Sequence, residues 1–153
     1  MKHAALGLVI AFSGALLSAC ATAPAPGAAA DAAPLNPMQA VMRAAEAAPL
    51  GVDGVFEMEV RGSGRDAFRT FLNSEADYRD QRCLTIALSP AAAAALRERL
   101  GGDPGEVLRG RRIVITGTAR RERIDFTANG APTGKYYYQT HVRVSDAAQI
   151  VVR

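Results

Sequence analysis

The first 35 residues cannot build a core, which confines everything that folds to the chain that follows. Lys2 and His3 open it, and Ala4 to Leu17 form an apolar run broken only by Ser13 and glycines, the layout of a secretory hydrophobic segment. The run is too short for a lasting membrane span, which needs about 20 apolar residues. After Cys20 comes ATAPAPGAAADAAPL, with Pro24, Pro26, Gly27 and Pro34 and no periodic apolar face, so residues 20–35 are expected to be a tether. Held extended at roughly 3.1 Å per residue, it would reach about 45 Å.

Leu17-Ser18-Ala19-Cys20 resembles the lipobox of bacterial lipoprotein precursors at all four positions. Small residues before the cysteine let an extended backbone enter a peptidase, and only a thiol accepts the diacylglyceryl group. The resemblance implies that residues 1–19 are a signal peptide and that Cys20 carries the lipid, palmitate-type acyl chains among it. At about 0.8 kcal/mol per buried methylene, several chains make such an anchor lasting. Ala21 stands where an aspartate would favour the inner membrane, so the resemblance points to the periplasmic face of the outer membrane. Loss of residues 1–19 removes Lys2 and no acid, lowering the net charge of +3 by one. A nearly balanced mature chain lacks the concentrated basic stripe usual in nucleic-acid binders.

Downstream, 49% hydrophobic content in 153 residues suffices for one domain. Asn36-Pro37 is a helix start, and Met38, Val41, Met42 and Ala45 fall on one face of a short helix that Pro49 and Gly51 close. From Val55 the period changes to two: Phe56, Met58 and Val60 alternate with Glu57, Glu59 and Arg61, as in a strand with one wet face. Arg61 to Arg65 is expected to break it. A second strand follows through Phe68 to Leu72, then a polar loop over residues 73–82 and a third strand from Cys83 to Leu88. Ser89-Pro90 starts a helix that Gly101-Gly102 stops, and Asp103 to Glu106 has capping-box spacing. Ile113 to Thr118 has the composition of a central strand. A loop over residues 127–134 leads to a strand from Tyr136 to Val144, and Gln149 to Arg153 makes a short closing strand.

Three strands, a helix and two more strands is the order of the OB-fold, a five-stranded partly open barrel. Phe71-Leu72-Asn73-Ser74 with Asp77-Tyr78-Arg79 and Leu84-Thr85-Ile86 resembles the link between strands two and three of small bacterial OB domains. Leu108 to Gly117 resembles the lead into their strand four, and Asp146 to Val152 their last strand. The resemblance covers residues 52–153, leaving 36–51 as helix and lead-in. It implies a mainly β domain with a ligand face on strands two and three, for which the candidates are Arg65, Arg69, Phe71, Tyr78, Arg79, Arg82, Tyr137 and Arg143. OB domains host many kinds of partner, so fold alone does not choose among them.

Catalysis has little to draw on. His141 is the one histidine of the mature chain and has no Ser or Cys motif beside it; a sheet-face histidine is expected. Cys83 loses any disulfide partner once Cys20 is acylated and is expected to be a buried thiol. Asn73, Glu75 and Asp77 alternate like the opening of a calcium loop, but Tyr78 replaces the required glycine and Leu84 the closing glutamate. We therefore expect no metal and no cofactor. The reading is a non-enzymatic, lipid-anchored module that binds an envelope protein or glycan, with single-stranded nucleic acid as the alternative. Of Tyr136-Tyr137-Tyr138, strand alternation turns the middle ring to the face opposite its neighbours.

Overall fold

The structure, a computed structural model, describes residues 33–153; the signal-peptide, lipobox and most of the tether readings fall outside the described residues. Helix α1 (Pro37–Glu46) is fixed at its first turn by a reciprocal cap: Asn36 accepts from the Gln39 amide, and the Gln39 side chain accepts from the Asn36 amide. The face it buries differs from the expected apolar stripe. Ala40 and Ala44 are fully buried, whereas Met38 and Met42 are 46% and 56% exposed. Two alanines four apart let the helix backbone lie close against its neighbours, an approach that methionine side chains there would block. Just ahead of the helix, Leu35 donates to the Val55 carbonyl and accepts from the Glu57 amide. The final residue of the expected tether is thus part of the folded body.

The rest is mainly β. Strands β1 (Val52–Glu59), β2 (Gly62–Arg65), β3 (Thr70–Asn73), β4 (Leu84–Leu88), β5 (Arg112–Ala128), β6 (Ala131–Val144) and β7 (Ile150–Val152) form one sheet. Its order is β1-β5-β6-β4-β3-β2, with β7 also on β5; the β4–β6 pair is parallel and the other strand pairs antiparallel. β1 and β2 stand at opposite ends of that order, yet only Val60 and Arg61 separate them in sequence. Val60 donates to the Arg111 carbonyl and accepts from the Gly110 amide, while the Arg61 amide turns to the Asn73 carbonyl at the other end. The sheet therefore curls into an open barrel around Phe56, Leu72, Leu84, Ile86, Ile113, Ile115 and Val142, all fully buried. Glycine is required at the turn-over point: a Cβ on Gly62 would lie 2.7 Å from the Glu75 carbonyl oxygen.

Helices α2 (Pro90–Leu100) and α3 (Pro104–Val107) lie between β4 and β5. Ser89 caps α2 by accepting from the Ala92 amide, and Ala92 and Leu96 bury its inner edge. Arg99 ties α2 to the end of the chain through the carbonyls of Ala147 and Ile150.

Three segments depart from the sequence expectation. Residues 62–65, read as a break, form β2 because β3 lies alongside to pair with it. The next strand begins at Thr70, two residues beyond Phe68, because the Asp66 carboxylate accepts from the amides of Phe68 and Arg69 and holds them in a turn. Most of the expected loop over residues 127–134 is strand: β5 and β6 form a long hairpin joined by Asn129-Gly130, both at positive φ. Its polar, exposed tip carries no alternation to read, and a register shift between Asp125 and Thr127 disturbs the period further.

The buried face of α1 makes a direct forecast. Ala44→Leu should lower unfolding stability by about 1–3 kcal/mol through overpacking, and Met42→Ala should stay within about 0.5 kcal/mol of wild type. Urea denaturation measures both; equal losses would refute the assigned face.

Candidate binding cleft

Strand pairing on β3, β4 and β6 sends Leu72, Ile86 and Val142 inward and sets Asn73 beside Thr85 and Thr85 beside His141 on the outer face. This outer row floors a cleft of about 520 Å³. Arg65, Asp66 and Arg69 line it from the β2–β3 side, Ala76 and Tyr78 from the β3–β4 loop, and Glu122, Ile124, Tyr137 and Gln139 from the hairpin. Its size lies within the ~300–1,000 Å³ of ligand pockets. Two other hollows are larger, about 610 Å³ each, but neither has an aromatic side chain in its lining. The 520 Å³ cleft has Phe71, Tyr78 and Tyr137 and is larger than the 410 Å³ hollow beside Tyr136, Tyr137 and Tyr138, so size and chemistry together mark it as the candidate.

Of the eight positions singled out in the sequence, the fold brings Arg65, Arg69, Phe71, Tyr78 and Tyr137 together here. Arg79 stands behind Tyr78, its guanidinium 4.4 Å from the ring centre. Arg82 and Arg143 line separate hollows. Arg82 is engaged by Asp80, and its side chain and backbone amide hold that carboxyl down to about 2. Asn73, Thr85, Glu122, Ile124, Gln139 and His141 complete the lining. Tyr137, Gln139 and His141 alternate along one strand, a signal the sequence does carry. Glu122 enters only through the hairpin register that sets it opposite Gln139.

One side chain organises the polar floor. The Gln139 amide nitrogen donates to the Tyr137 hydroxyl at 2.7 Å and the Tyr78 carbonyl at 3.4 Å, which turns its oxygen to Nε2 of His141 at 2.6 Å. An amide oxygen only accepts, so Nε2 carries the hydrogen and Nδ1 of the neutral ring is bare. Nδ1 is buried without a hydrogen-bond partner; Oε2 of Glu122 lies 3.4 Å away but, like the bare nitrogen, only accepts. Glu122 is itself gripped by Arg143 at 2.9 and 3.0 Å. Burial pushes the His141 pKa below its ordinary 6.5; Glu122 opposes this, and Arg143 and Arg69 reinforce it. Elsewhere on the floor, Thr85 donates to Asn73 at 3.0 Å, and the free thiol of Cys83 is buried 3.7 Å from the Thr85 hydroxyl.

The tyrosine triplet divides as alternation requires. Tyr137 faces the cleft, with Phe126 stacked at 5.1 Å, and burial raises its pKa. Tyr136 and Tyr138 pack edge to face on the other side under the guanidinium groups of Arg123 and Arg121. No residue of α1 lines the cleft.

Charge is largely settled within the protein. Arg65 and Arg97 both bond to Asp103. Burial alone would raise that carboxyl, but the hydrogen bonds from Arg97, the Gly105 amide and Arg65 leave it below the usual range. Arg69 spends its backbone amide on Asp66, and its guanidinium pairs with no carboxylate among the described residues. No group of three or more His, Cys, Asp or Glu able to hold a metal occurs among the described residues. No described helix is long and apolar enough to cross a membrane. Compared with known protein-family models and with curated proteins, the chain matches none.

His141 titration should appear in stability. Because the folded pKa lies below 6.5, the unfolded chain binds more protons here than the folded one as pH drops through that value. Stability from the neutral ring is complete above pH 6.5 and falls away toward the folded pKa. His141→Gln should flatten this part of the melting-temperature profile between pH 7.5 and 5; a mutant that tracks wild type would refute the assignment.

Proposed function

We propose that this protein is a non-enzymatic binding module of the bacterial cell envelope, anchored through acylated Cys20, whose barrel is of the OB type. Its partner, an envelope protein or polymer, occupies the cleft on the β3–β4–β6 face. Counting β1 and β2 as one bent strand leaves three strands, a helix, two long strands and a short return, which agrees with the OB resemblance. The observation that carries the binding reading is the convergence of Phe71, Tyr78 and Tyr137 with Arg65 and Arg69, from three separate segments, on a cleft that the leading helix leaves open. The anchor rests on Leu17-Ser18-Ala19-Cys20.

Charge argues against the alternative of a single-stranded nucleic acid. Such ligands need several free cations along a groove, and Arg65, Arg82 and Arg143 are already bonded to Asp103, Asp80 and Glu122. With Arg69 the one cleft arginine that meets no carboxylate among the described residues, any oligonucleotide binding should have a log–log salt slope no steeper than about −1. A steep slope in a fluorescence-anisotropy titration would restore the nucleic-acid reading.

Mass spectrometry of the membrane fraction should find a mature chain that begins at acylated Cys20, and Cys20→Ala should release the protein in soluble form. An unmodified cysteine would overturn the address. A photo-crosslinker at Tyr78 or Tyr137 should trap one envelope component reproducibly in intact cells, and the same probe at Tyr136, on the opposite face, should not. Identical products from both faces would overturn the cleft as the binding site.

A further inference from the structure

We infer that the cleft takes a glycan segment bearing a carboxylate, with Arg69 as the residue that reads the acid; this rests on the cleft being the binding site. Three features of the lining select the class. The first is its aromatic surface: Phe71, Tyr78 and Tyr137 line it, with Tyr78 42% exposed. A sugar ring presents a C–H face to such a ring, whose own face is electron-rich, and directs its hydroxyls sideways. Beside the rings lie Asn73, Thr85 and Gln139, uncharged polar groups, the first two bonded to each other and the third to Tyr137 and His141.

The second is charge. Glu122 is neutralised by Arg143, Arg65 shares Asp103 with Arg97, and Asp66 is held by two backbone amides. Among the described residues, the charged side chains of the lining left without an ion-pair partner are Asp66, whose Oδ1 takes both turn amides, and Arg69, the one free guanidinium. A planar, unpaired fork matches a carboxylate, which it can bind through two parallel hydrogen bonds. A polyphosphate chain would bring a charge at every unit and find one receptor.

The third is the backbone. Extended peptides commonly bind by adding a strand to an exposed sheet edge. Beneath this cleft β3 is flanked by β2 and β4, β4 by β3 and β6, and β6 by β4 and β5 over residues 140–142, so the floor offers no free edge; the stretch of β6 with Tyr137 and Gln139, on the cleft wall, is paired with β5 alone. A ligand resting on that floor meets side chains, as a sugar does.

The test uses the mature chain carrying Cys20→Ala and three disaccharides: N-acetylglucosaminyl-N-acetylmuramic acid, digalacturonate and chitobiose. The first two carry carboxylates on different sugars, and the third is neutral. Calorimetry or NMR titration should show at least one acidic disaccharide bound about tenfold or more tightly than chitobiose; which of the two it is distinguishes a lactyl from a uronic acid. Arg69→Gln should erase that preference while changing chitobiose affinity less than about twofold. Tyr78→Ala, at an exposed position, should weaken acidic and neutral sugars alike. Equal affinity for all three, or a preference that survives Arg69→Gln, overturns the assignment to Arg69 and leaves the cleft as binding site. Absence of sugar binding together with a protein crosslinked from Tyr78 overturns the glycan and keeps the cleft. Absence of both sugar binding and crosslinking from the cleft overturns the cleft reading itself.

Discussion

The bend between Val60 and Arg61 is the constraint on which the rest of the molecule depends. Two consecutive residues hydrogen-bond to opposite ends of the sheet order, so a seven-stranded sheet curls instead of lying flat. Curling turns the apolar faces of β1, β3, β4, β5 and β6 onto one core and their polar rows outward. Because strand side chains alternate with period two, slipping β3 by one residue would exchange Phe71 and Asn73 for Leu72 on the outer face. The outer row of the cleft is therefore a consequence of register, and the bend helps to hold that register.

The long hairpin extends that arrangement beyond the barrel. Its two faces do different work: Tyr137 and Gln139 with Glu122 point into the cleft, while Arg121, Arg123, Tyr136 and Tyr138 form a stacked ladder on the other side. Each guanidinium over a tyrosine ring contributes on the order of 0.5–1 kcal/mol at such exposed positions. That ladder stiffens an arm with no core of its own, which keeps the cleft wall in place. Gln139 completes the coupling, since its one amide group meets Tyr137, Tyr78 and His141 and so joins the hairpin to the β3–β4 loop and the sheet floor.

Much of this was legible before any coordinates. Helix starts at Asn36-Pro37, Ser89-Pro90 and Asp103-Pro104 are local events, fixed by a cap side chain and a ring in adjacent positions. The alternation along β1 and the split of the tyrosine triplet are equally local. The inward face of α1 was not legible, because the advantage of Ala40 and Ala44 over Met38 and Met42 depends on how closely the helix can approach its neighbours. β2 was hidden as well, since a Gly-Ser-Gly segment has no apolar pattern and becomes a strand only when β3 is beside it. Five of the eight candidate positions converge: Phe71 and Tyr137 sit on strands whose faces were readable, whereas Arg65, Arg69 and Tyr78 lie on a hidden strand, a turn and a loop that carry no such pattern. The state of the arginines was not, since Arg65 meets Asp103 across 38 residues of chain.

By itself the sequence determined where the helices start, that the described residues are mainly β, and which side chains alternate on β1, β4 and the last part of β6. These properties depend on composition and on neighbours within four residues. Only the tertiary structure decided that, among the described residues, Arg69 meets no carboxylate while Arg65, Arg82 and Arg143 are engaged, and that Glu122 lies beside His141. Charge compensation follows distance in space, and register and curvature set that distance.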